Sequence, residues 1–459
     1  MINKNKDVAG EYDLILGFPI ARNFESNFRK STAKFEGAKF YDLSERVVNR
    51  KYSKRIIMPA VGQGAITYTG DSHLMTIAPT GSGKGRSVII PNLLHYNGPV
   101  IVVDPKGENY AVTAKYRKEV LGHKVVVLDP FRVTNAKSDG LNPFDIFTLD
   151  NADIETDAQA LAELLSEGNR FSSDPFWDLA ACGLYSGLIA YMVSVLEKKE
   201  WNMNKLRDII MGDDTVYNLA VMLDTQGKKM KKMAYQEITS FLQMPDEKTR
   251  PSVKATALGY LKSFTSDRVG STLEKSSFSL EEVVNGDKLS IYIIIPPDKL
   301  KSHRGLLKVW VNTLMKAITS RKEIPEHRTL FILDECGQLG SFPFLETAIT
   351  LLRGYGLQTW TFWQDLSQLR KLYEIEWSTM VNNCAVLQIF GTKNYRVASE
   401  FSEMVGVETD QVSDVRASEQ ILLIDGEDLL KTMRFDYLKN KEFEGKYEDN
   451  PLYKNVKIK

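Results

Sequence analysis

The sequence predicts an α/β fold in which helices cover a mainly parallel sheet and a second, all-α domain is inserted. Three observations predict it: a series of short apolar runs, a glycine-rich loop after the first run, and a long helical stretch without strands. Apolar runs that alternate with helical patterns are typical of a parallel sheet buried on both faces. The runs are 74–77, 100–103, 125–128, 290–295, 329–333, 359–363 and 385–390.

The composition is that of a large globular chain. Its 459 residues and 43% hydrophobic content are enough for two or three domains with sizeable cores. The 59 basic residues are balanced by 59 acidic ones, so any contact with a polyanion must be local. Three unpaired cysteines and five scattered histidines predict neither a disulfide framework nor a zinc site, and they suit a reducing compartment.

One uncharged stretch, residues 179–196, reaches the lower limit for crossing a bilayer. It contains glycines, serines, tyrosines and a cysteine, and Asp178 directly precedes it. These residues favour a buried helix over a membrane span. The N-terminus shows no apolar segment of the signal-peptide type. We therefore expect a chain with no membrane span of its own.

The glycine-rich loop, residues 78–85, reads Ala-Pro-Thr-Gly-Ser-Gly-Lys-Gly. It departs at both ends from the usual Gly-x4-Gly-Lys-Ser/Thr pattern, but it lies between a strand candidate and a helical pattern, where free N–H groups attract phosphate. Lys84 would reach the β and γ phosphates. The alternative is a plain strand-to-helix turn without a ligand. The predicted nucleotide ligands are Thr80, Gly81, Ser82, Gly83, Lys84, Gly85 and Arg86.

Acidic and amide side chains follow two later strand candidates. Asp334 and Glu335 end the run 329–333, and Gln364 ends the run 359–363. Because ligands of open α/β sheets bind at the carboxyl ends of strands, Asp334 would hold Mg²⁺ through water, and Glu335 would orient or deprotonate an attacking water. Gln364 would contact the γ phosphate and that water. The alternatives are a helix-capping acid and a structural glutamine.

Arg353 precedes Gly354-Tyr355-Gly356 at a predicted helix end. An arginine there is either a solvated group or a helix cap. If the protein forms rings, Arg353 could instead reach the nucleotide of a neighbouring subunit as an arginine finger.

The chain divides into five predicted segments. Residues 72–150 and 266–424 form the two parts of the nucleotide-binding domain, and residues 151–265 form the all-α domain, whose apolar residues recur at helical spacing. Residues 1–71 form a mixed N-terminal extension with a β-like run at 66–68. Residues 425–459 form a charged tail, expected to contain a helix.

Together these motifs resemble those of the TraG-like coupling proteins of type IV secretion and conjugation, a family of RecA/FtsK-like P-loop ATPases. The resemblance spans residues 72–408. The motifs that carry it are 78–85, 90–94, 103–108, 141–144, 174–177, 333–340, 352–356, 364–369 and 390–392.

The resemblance implies a RecA-like motor domain that binds ATP and Mg²⁺ and forms a homo-hexamer around a channel. It implies ATP-driven transfer of single-stranded DNA with its bound relaxase, or of effector proteins, through contacts with secretion-channel components. It implies a cytoplasmic protein recruited to the inner face of the plasma membrane. Lys84, Asp334, Glu335, Gln364 and, in trans, Arg353 resemble the family's functional residues.

Asp104 and Glu108 fall in the family's Asp-Pro-Lys-Gly-Glu motif. Asp104 ends the second strand candidate, so we expect it near the Mg²⁺ region.

Two other functions stay open. The first is a recruitment platform, in which nucleotide sets assembly and hydrolysis is incidental. The second is a soluble DNA translocase outside any secretion machine. The lysine cluster at 228–232 is a candidate DNA contact, although clustered lysines usually form a solvated surface.

Overall fold

The computed structural model describes residues 11–18, 56–57, 65–166, 174–245, 248–392, 394–426 and 429–453. Most of the predicted N-terminal extension lies outside these residues. The chain forms two compact units. The first comprises Met1–Gly98, Ala111–Gly122 and His327–Lys459, and the second comprises Pro99–Tyr110 and His123–Glu326.

The strands follow the apolar runs of the sequence. They are β1 (Leu14–Gly17), β2 (Ile56–Ile57), β3 (Ile66–Tyr68), β4 (His73–Ile77), β5 (Val100–Val103), β6 (Lys124–Leu128), β7 (Leu289–Ile293), β8 (Thr329–Leu333), β9 (Leu357–Trp363), β10 (Cys384–Phe390), β11 (Glu419–Ile424) and β12 (Leu429–Met433). All seven predicted runs form strands, and so does the run at 66–68.

The helices fill the intervals between the strands. They are α1 (Ile90–His95), α2 (Glu108–Glu119), α3 (Ile154–Ser166), α4 (Pro175–Val195), α5 (Met203–Met211), α6 (Thr215–Gln226), α7 (Lys232–Gln243), α8 (Thr249–Leu261), α9 (Asp267–Thr272), α10 (Leu280–Asn285), α11 (Pro297–Leu300), α12 (Arg304–Thr319), α13 (Cys336–Leu339), α14 (Pro343–Leu351), α15 (Leu366–Leu372), α16 (Trp377–Asn382), α17 (Tyr395–Val405) and α18 (Thr409–Ser413).

In the first unit the strand order is β2-β12-β11-β10-β4-β9-β8. The four strands β10, β4, β9 and β8 run parallel, while β11 is antiparallel to both β10 and β12. Every residue of β4, β8 and β9 is buried. A parallel centre that is buried on both faces needs helices on each side, which explains why these strands are mainly apolar. The predicted α/β fold with a mainly parallel sheet is confirmed.

In the second unit β7 lies between β5 and β6, and both pairs are parallel. Among the described residues of 151–265 there are helices but no strand. The long helix α4 packs against α3, α7 and α8. Within the described part of the chain, α4 is the one helix long and apolar enough to cross a membrane, and 61% of its most apolar window is buried in the protein. The predicted division into 72–150, 151–265 and 266–424 stays a prediction.

The C-terminal segment contains a strand that the sequence analysis does not predict. Residues 429–433 form β12, which pairs antiparallel with β11. The chain turns between the two strands at Asp425 and Gly426, which both adopt positive φ. An Asp-Gly pair between apolar runs is a hairpin signal, because both residues tolerate the left-handed conformation that such turns require.

A chain of buried polar side chains crosses the first unit's sheet. Trp360 Nε1 on β9 donates to Thr76 Oγ1 on β4 (2.8 Å), and Thr76 donates to Gln388 Oε1 on β10 (2.6 Å). Gln388 Nε2 donates to Gln420 Oε1 on β11 (2.7 Å), and Gln420 donates to Thr432 Oγ1 on β12 (3.0 Å). All five side chains are fully buried. Because a one-residue slip would turn any of them to the other face, the chain of bonds specifies the register of five strands.

We expect Gln388→Leu to destabilise the protein by about 1–3 kcal/mol, because it removes the partner of the Thr76 hydroxyl and of the Gln420 carbonyl in a buried layer. The shift of the urea midpoint measures this loss. Gln243→Leu, at the exposed end of α7, is the matched control and should change stability by no more than about 0.5 kcal/mol. Equal urea midpoints for Gln388→Leu and Gln243→Leu would contradict a stabilising role for the buried chain of hydrogen bonds.

Candidate active site

Three strands end at one edge of the first unit's sheet and deliver the site. The strands β4, β9 and β8 are parallel neighbours, with Ile77 beside Trp363 and Leu333 beside Thr361. The glycine-rich loop follows β4, the acidic pair follows β8, and Gln364 follows β9. The Ala78 N–H donates to the Trp363 carbonyl (2.8 Å) and joins the loop to the end of β9. The sheet therefore brings the glycine-rich loop, with Lys84, to acidic and amide side chains that follow it in the sequence by 250 or more positions.

The glycine-rich loop depends on two residues with left-handed backbone. Gly81 has φ 76° and Gly83 has φ 86°, conformations that glycine adopts without steric cost. The Ser82 N–H donates to the Pro79 carbonyl (3.0 Å), and the Ser87 N–H donates to the Gly83 carbonyl (2.9 Å). A Cβ at Gly81 would meet no atom within 4 Å, so this position of the loop faces open space.

The helix that follows the loop begins with a wide turn. Residues Gly85–Ile89 form a π-helical turn that leads into α1, and the Ile90 N–H donates to the Gly85 carbonyl. Pro91 has no N–H for the next α-helical bond, which suits a wide turn at this point. The predicted helix after the loop is therefore present, with a changed first turn.

Lys84 is held between the two carboxylates of the acidic pair. Its Nζ lies 2.9 Å from Asp334 Oδ1 and 2.8 Å from Glu335 Oε1. Burial by itself lowers the pKa of Lys84, but attraction to Asp334 and Glu335 outweighs it, so the pKa is raised above its usual value. The ammonium group therefore stays charged at neutral pH, although only 13% of the side chain is exposed.

Glu335 adopts an unusual backbone conformation. Its φ of 60° and ψ of 46° are left-handed, and only 8% of the residue is exposed. Such a conformation costs a non-glycine residue about 1–3 kcal/mol and is typical of functional sites. Gln364 Nε2 donates to Glu335 Oε2 (3.1 Å), so the second carboxylate oxygen is oriented by the end of β9.

Gln364 is itself positioned by a residue that the sequence analysis missed. The Gln364 N–H donates to Gln368 Oε1 (3.2 Å). Gly337 lies against the same amide, and a Cβ at that position would come within 2.5 Å of Gln368 Oε1. Gly337, the second residue after the acidic pair, thus makes room for the Gln368 side chain that holds Gln364.

The residues at this edge fit a magnesium-bound polyphosphate. The carboxylates of Asp334 and Glu335 are the oxygen donors that Mg²⁺ prefers, and Lys84 supplies a positive charge for phosphate oxygens. Ser82 Oγ is buried and has no hydrogen-bond partner among the described residues. A buried hydroxyl without a partner, in a glycine-rich loop, fits a ligand with many acceptor oxygens.

Two other predicted site residues have partners within the protein. Arg86 forms a two-pronged ion pair with Asp436, with both nitrogen–oxygen distances 2.6 Å. Asp104 lies in the second unit, is buried, and accepts hydrogen bonds from Asn109 Nδ2 (3.3 Å) and the Tyr110 N–H (2.9 Å) at the start of α2. The roles of Arg86 as a nucleotide ligand and of Asp104 near Mg²⁺ stay predictions.

Arg353 lies at the opposite end of β9 from Gln364, a separation of about 20 Å for a seven-residue strand. Its Nη2 contacts Asp71 Oδ1 (2.6 Å), and Asp71 also pairs with Arg328 (3.1 Å). The Arg353 side chain is 54% exposed. The fold therefore does not bring Arg353 to Lys84 and Glu335 of its own chain.

Comparison with known proteins identifies the family of the chain. The sequence profile of the family described as type IV secretory system conjugative DNA transfer matches residues 30–424. The chain belongs to this family. The resemblance to coupling proteins is thereby confirmed.

Individual relatives give the extent of the likeness. The chain is 26% identical over 363 residues to the conjugal transfer protein TraG of Escherichia coli, covering 75% of this chain and 56% of that protein. It is 24% identical over 416 residues to the type IV secretion system-coupling protein VirD4 of Bartonella quintana, covering 81% and 64%. The chain thus spans little more than half the length of this TraG.

Among solved structures, the plasmid coupling protein TrwB in complex with ADP and Mg²⁺ shares the fold. The TM-score is 0.59 at 17% identity, and the match covers 80% of this chain and 85% of TrwB. The unbound monoclinic form of TrwB matches with a TM-score of 0.60. The RecA-like P-loop architecture expected from the resemblance is confirmed.

Proposed function

We propose that this chain hydrolyses ATP and, as a coupling protein, moves single-stranded DNA with its bound relaxase, or effector proteins, into a type IV secretion channel. The observation that carries the proposal is Lys84 held between Asp334 and Glu335 at the carboxyl edge of a parallel sheet. The printed descriptions of the relatives support it: TraG is a conjugal transfer protein, VirD4 a secretion-coupling protein, and TrwB holds ADP and Mg²⁺.

Each residue at the edge has a distinct task in this reaction. The loop amides from Gly81 to Gly85 bind phosphate oxygens, and Lys84 leaves the carboxylates to pair with the phosphates. Asp334 would hold Mg²⁺ through water. When bound, Mg²⁺ neutralises negative charge on the phosphates during transfer.

Glu335 acts on the attacking water. Its Oε2 is oriented by Gln364, and its Oε1 is released when Lys84 turns to the phosphates. Oε1 then accepts the proton of the water as the water oxygen attacks the terminal phosphorus and ADP leaves. Gln364 keeps the carboxylate and the water in line. The resting ion pair thus keeps the base occupied until a nucleotide arrives.

We expect Lys84→Ala and Glu335→Gln each to reduce steady-state ATP turnover by about 10²–10⁴-fold, because they remove the phosphate cation and the general base. Glu335→Gln should retain nucleotide binding, whereas Lys84→Ala should lose it. Lys118→Ala, at the exposed end of α2, is the matched control. Parental turnover in Glu335→Gln, or no turnover in any assembly state of the parental chain, would support the recruitment platform instead.

A homo-hexamer would complete the site. Arg353 is exposed at the edge opposite its own Lys84, so a neighbouring subunit in a ring is the place where it could meet a nucleotide. Asp71 holds the guanidinium group until the subunits assemble.

Mixing two inactive variants tests this role of Arg353. Arg353→Ala supplies an intact Glu335, and Glu335→Gln supplies an intact Arg353, so mixed rings should regain part of the ATP turnover. Lys84→Ala mixed with Glu335→Gln is the control, because both changes damage the same site and no mixed interface is intact. Recovery in the control alone, or in neither mixture, would rule out the trans role.

DNA binding is the second half of the proposal. Four exposed lysines lie close together: Lys228, Lys229 and Lys231 lie between α6 and α7, and Lys232 begins α7. Backbone contacts with single-stranded DNA make the logarithm of affinity fall linearly with the logarithm of salt concentration, by about 0.7 per phosphate contacted.

We expect a salt-dependent affinity for single strands that does not depend on sequence. Changing Lys228 and Lys229 to glutamine should reduce the salt slope by up to about 1.4, whereas the same change at the exposed Lys198 and Lys199 should leave it unaltered. Fluorescence anisotropy with labelled oligonucleotides measures both slopes. An affinity that does not change with salt would point to protein cargo.

A further inference from the structure

The glycine-rich loop is hydrogen-bonded to a segment that lies about 350 residues later in the chain. Arg434, the residue after β12, donates from Nη1 to the Ser82 carbonyl (2.7 Å). Its guanidinium carbon lies 4.1 Å from the centre of the Phe390 ring, which ends β10. Stacking on an aromatic ring limits the orientations that an arginine can adopt. Arg434 therefore connects the loop to the ends of two strands.

The segment after β12 also contacts Arg86, which directly follows the glycine-rich loop. Both Asp436 oxygens accept from Arg86, at 2.6 Å each. Asp436 is fixed in turn, because its N–H donates to Asn440 Oδ1 (2.8 Å) and its Oδ1 also accepts from the Leu438 N–H (3.2 Å). Arg86 thus pairs with a carboxylate that the turn around Asp436 holds in place.

The contact with Ser82 sets the direction of a peptide group. In a planar trans peptide, the carbonyl of one residue and the N–H of the next point in opposite directions. Because Arg434 holds the Ser82 carbonyl, the Gly83 N–H points away from Arg434. The Gly83 N–H keeps that direction because of the bond from Arg434. The left-handed backbone of Gly83 would by itself restrain the peptide only weakly. The bond prevents a peptide flip that would present a carbonyl oxygen to the phosphates.

We propose that Arg434 and Asp436 are positioning residues for nucleotide binding, which hold the Ser82–Arg86 stretch with its N–H groups directed at the phosphates. The inference rests on the proposed function of the loop. Arg434 acts through the Ser82 carbonyl and Asp436 acts through Arg86. Neither residue contacts the phosphates.

Nucleotide affinities of full-length variants test the proposal. Arg434→Ala should weaken binding of ADP and of a non-hydrolysable ATP analogue by the same factor, about ten-fold or more, because the loss of one charged hydrogen bond frees the loop. Asp436→Asn should weaken both in the same direction by a smaller factor. Isothermal titration calorimetry gives the affinities, and thermal melting without nucleotide shows that each variant is folded.

One control variant and the comparison of the two nucleotides separate the possible results. Arg396→Ala removes an 89% exposed arginine paired with Glu400 and should leave both affinities at the parental value. A loss for the ATP analogue but not for ADP would show that Arg434 contacts the terminal phosphate, and would overturn the positioning role.

Lys84→Ala distinguishes failure of this inference from failure of the proposed function. If Lys84→Ala loses nucleotide while folded Arg434→Ala and Asp436→Asn bind it like the parental chain, the positioning role is wrong and the ATP site stands. If Lys84→Ala binds nucleotide like the parental chain, the proposed site itself is wrong. If Arg434→Ala fails to fold, Asp436→Asn alone decides, and parental affinity in it overturns the proposal.

Discussion

The structure of the site depends on one electrostatic arrangement, a lysine charge shared by two carboxylates at a sheet edge. Lys84 lies within 3 Å of both Asp334 and Glu335, and most of its surface is buried. Two adjacent carboxylates with no cation would repel each other, and a buried ammonium with no anion would lose its proton. Each charge therefore stabilises the others.

That arrangement requires left-handed backbone conformations, which do not occur in regular helices and strands. Gly81 and Gly83 adopt left-handed conformations without cost, but Glu335 adopts one at a cost, directly after a buried strand. The strain persists because β8 lies in a closely packed parallel sheet and because Gln364 holds the carboxylate from the neighbouring strand. Rigid strands thus maintain a side-chain geometry that a free turn would lose.

The sheet also links the site to the C-terminal segment. The buried chain of bonds from Trp360 to Thr432 crosses five strands and ends on β12. The next residue but one is Arg434, which holds the Ser82 carbonyl. The position of the phosphate loop therefore depends on the register of strands far from it in sequence, since a shift of β12 would move the guanidinium group away from the loop.

The sequence by itself determined the strands β3 to β10, though not β11 or β12, and it placed Lys84, Asp334, Glu335 and Gln364 at or directly after strand ends that the fold brings together. It did so because burial, glycine spacing and strand ends are local properties of the chain. The roles of these four residues stay predictions. Only the tertiary structure decided that Arg86 pairs with Asp436, that Arg434 holds Ser82, and that Arg353 lies at the far edge beside Asp71. These contacts join residues hundreds of positions apart, and no local pattern encodes a pairing that depends on strand order. The sequence analysis did not predict the turn at Asp425-Gly426, although this pair is a local turn signal. Arg434 reaches the loop because the strand after the turn, β12, pairs with β11, and that pairing depends on the strand order.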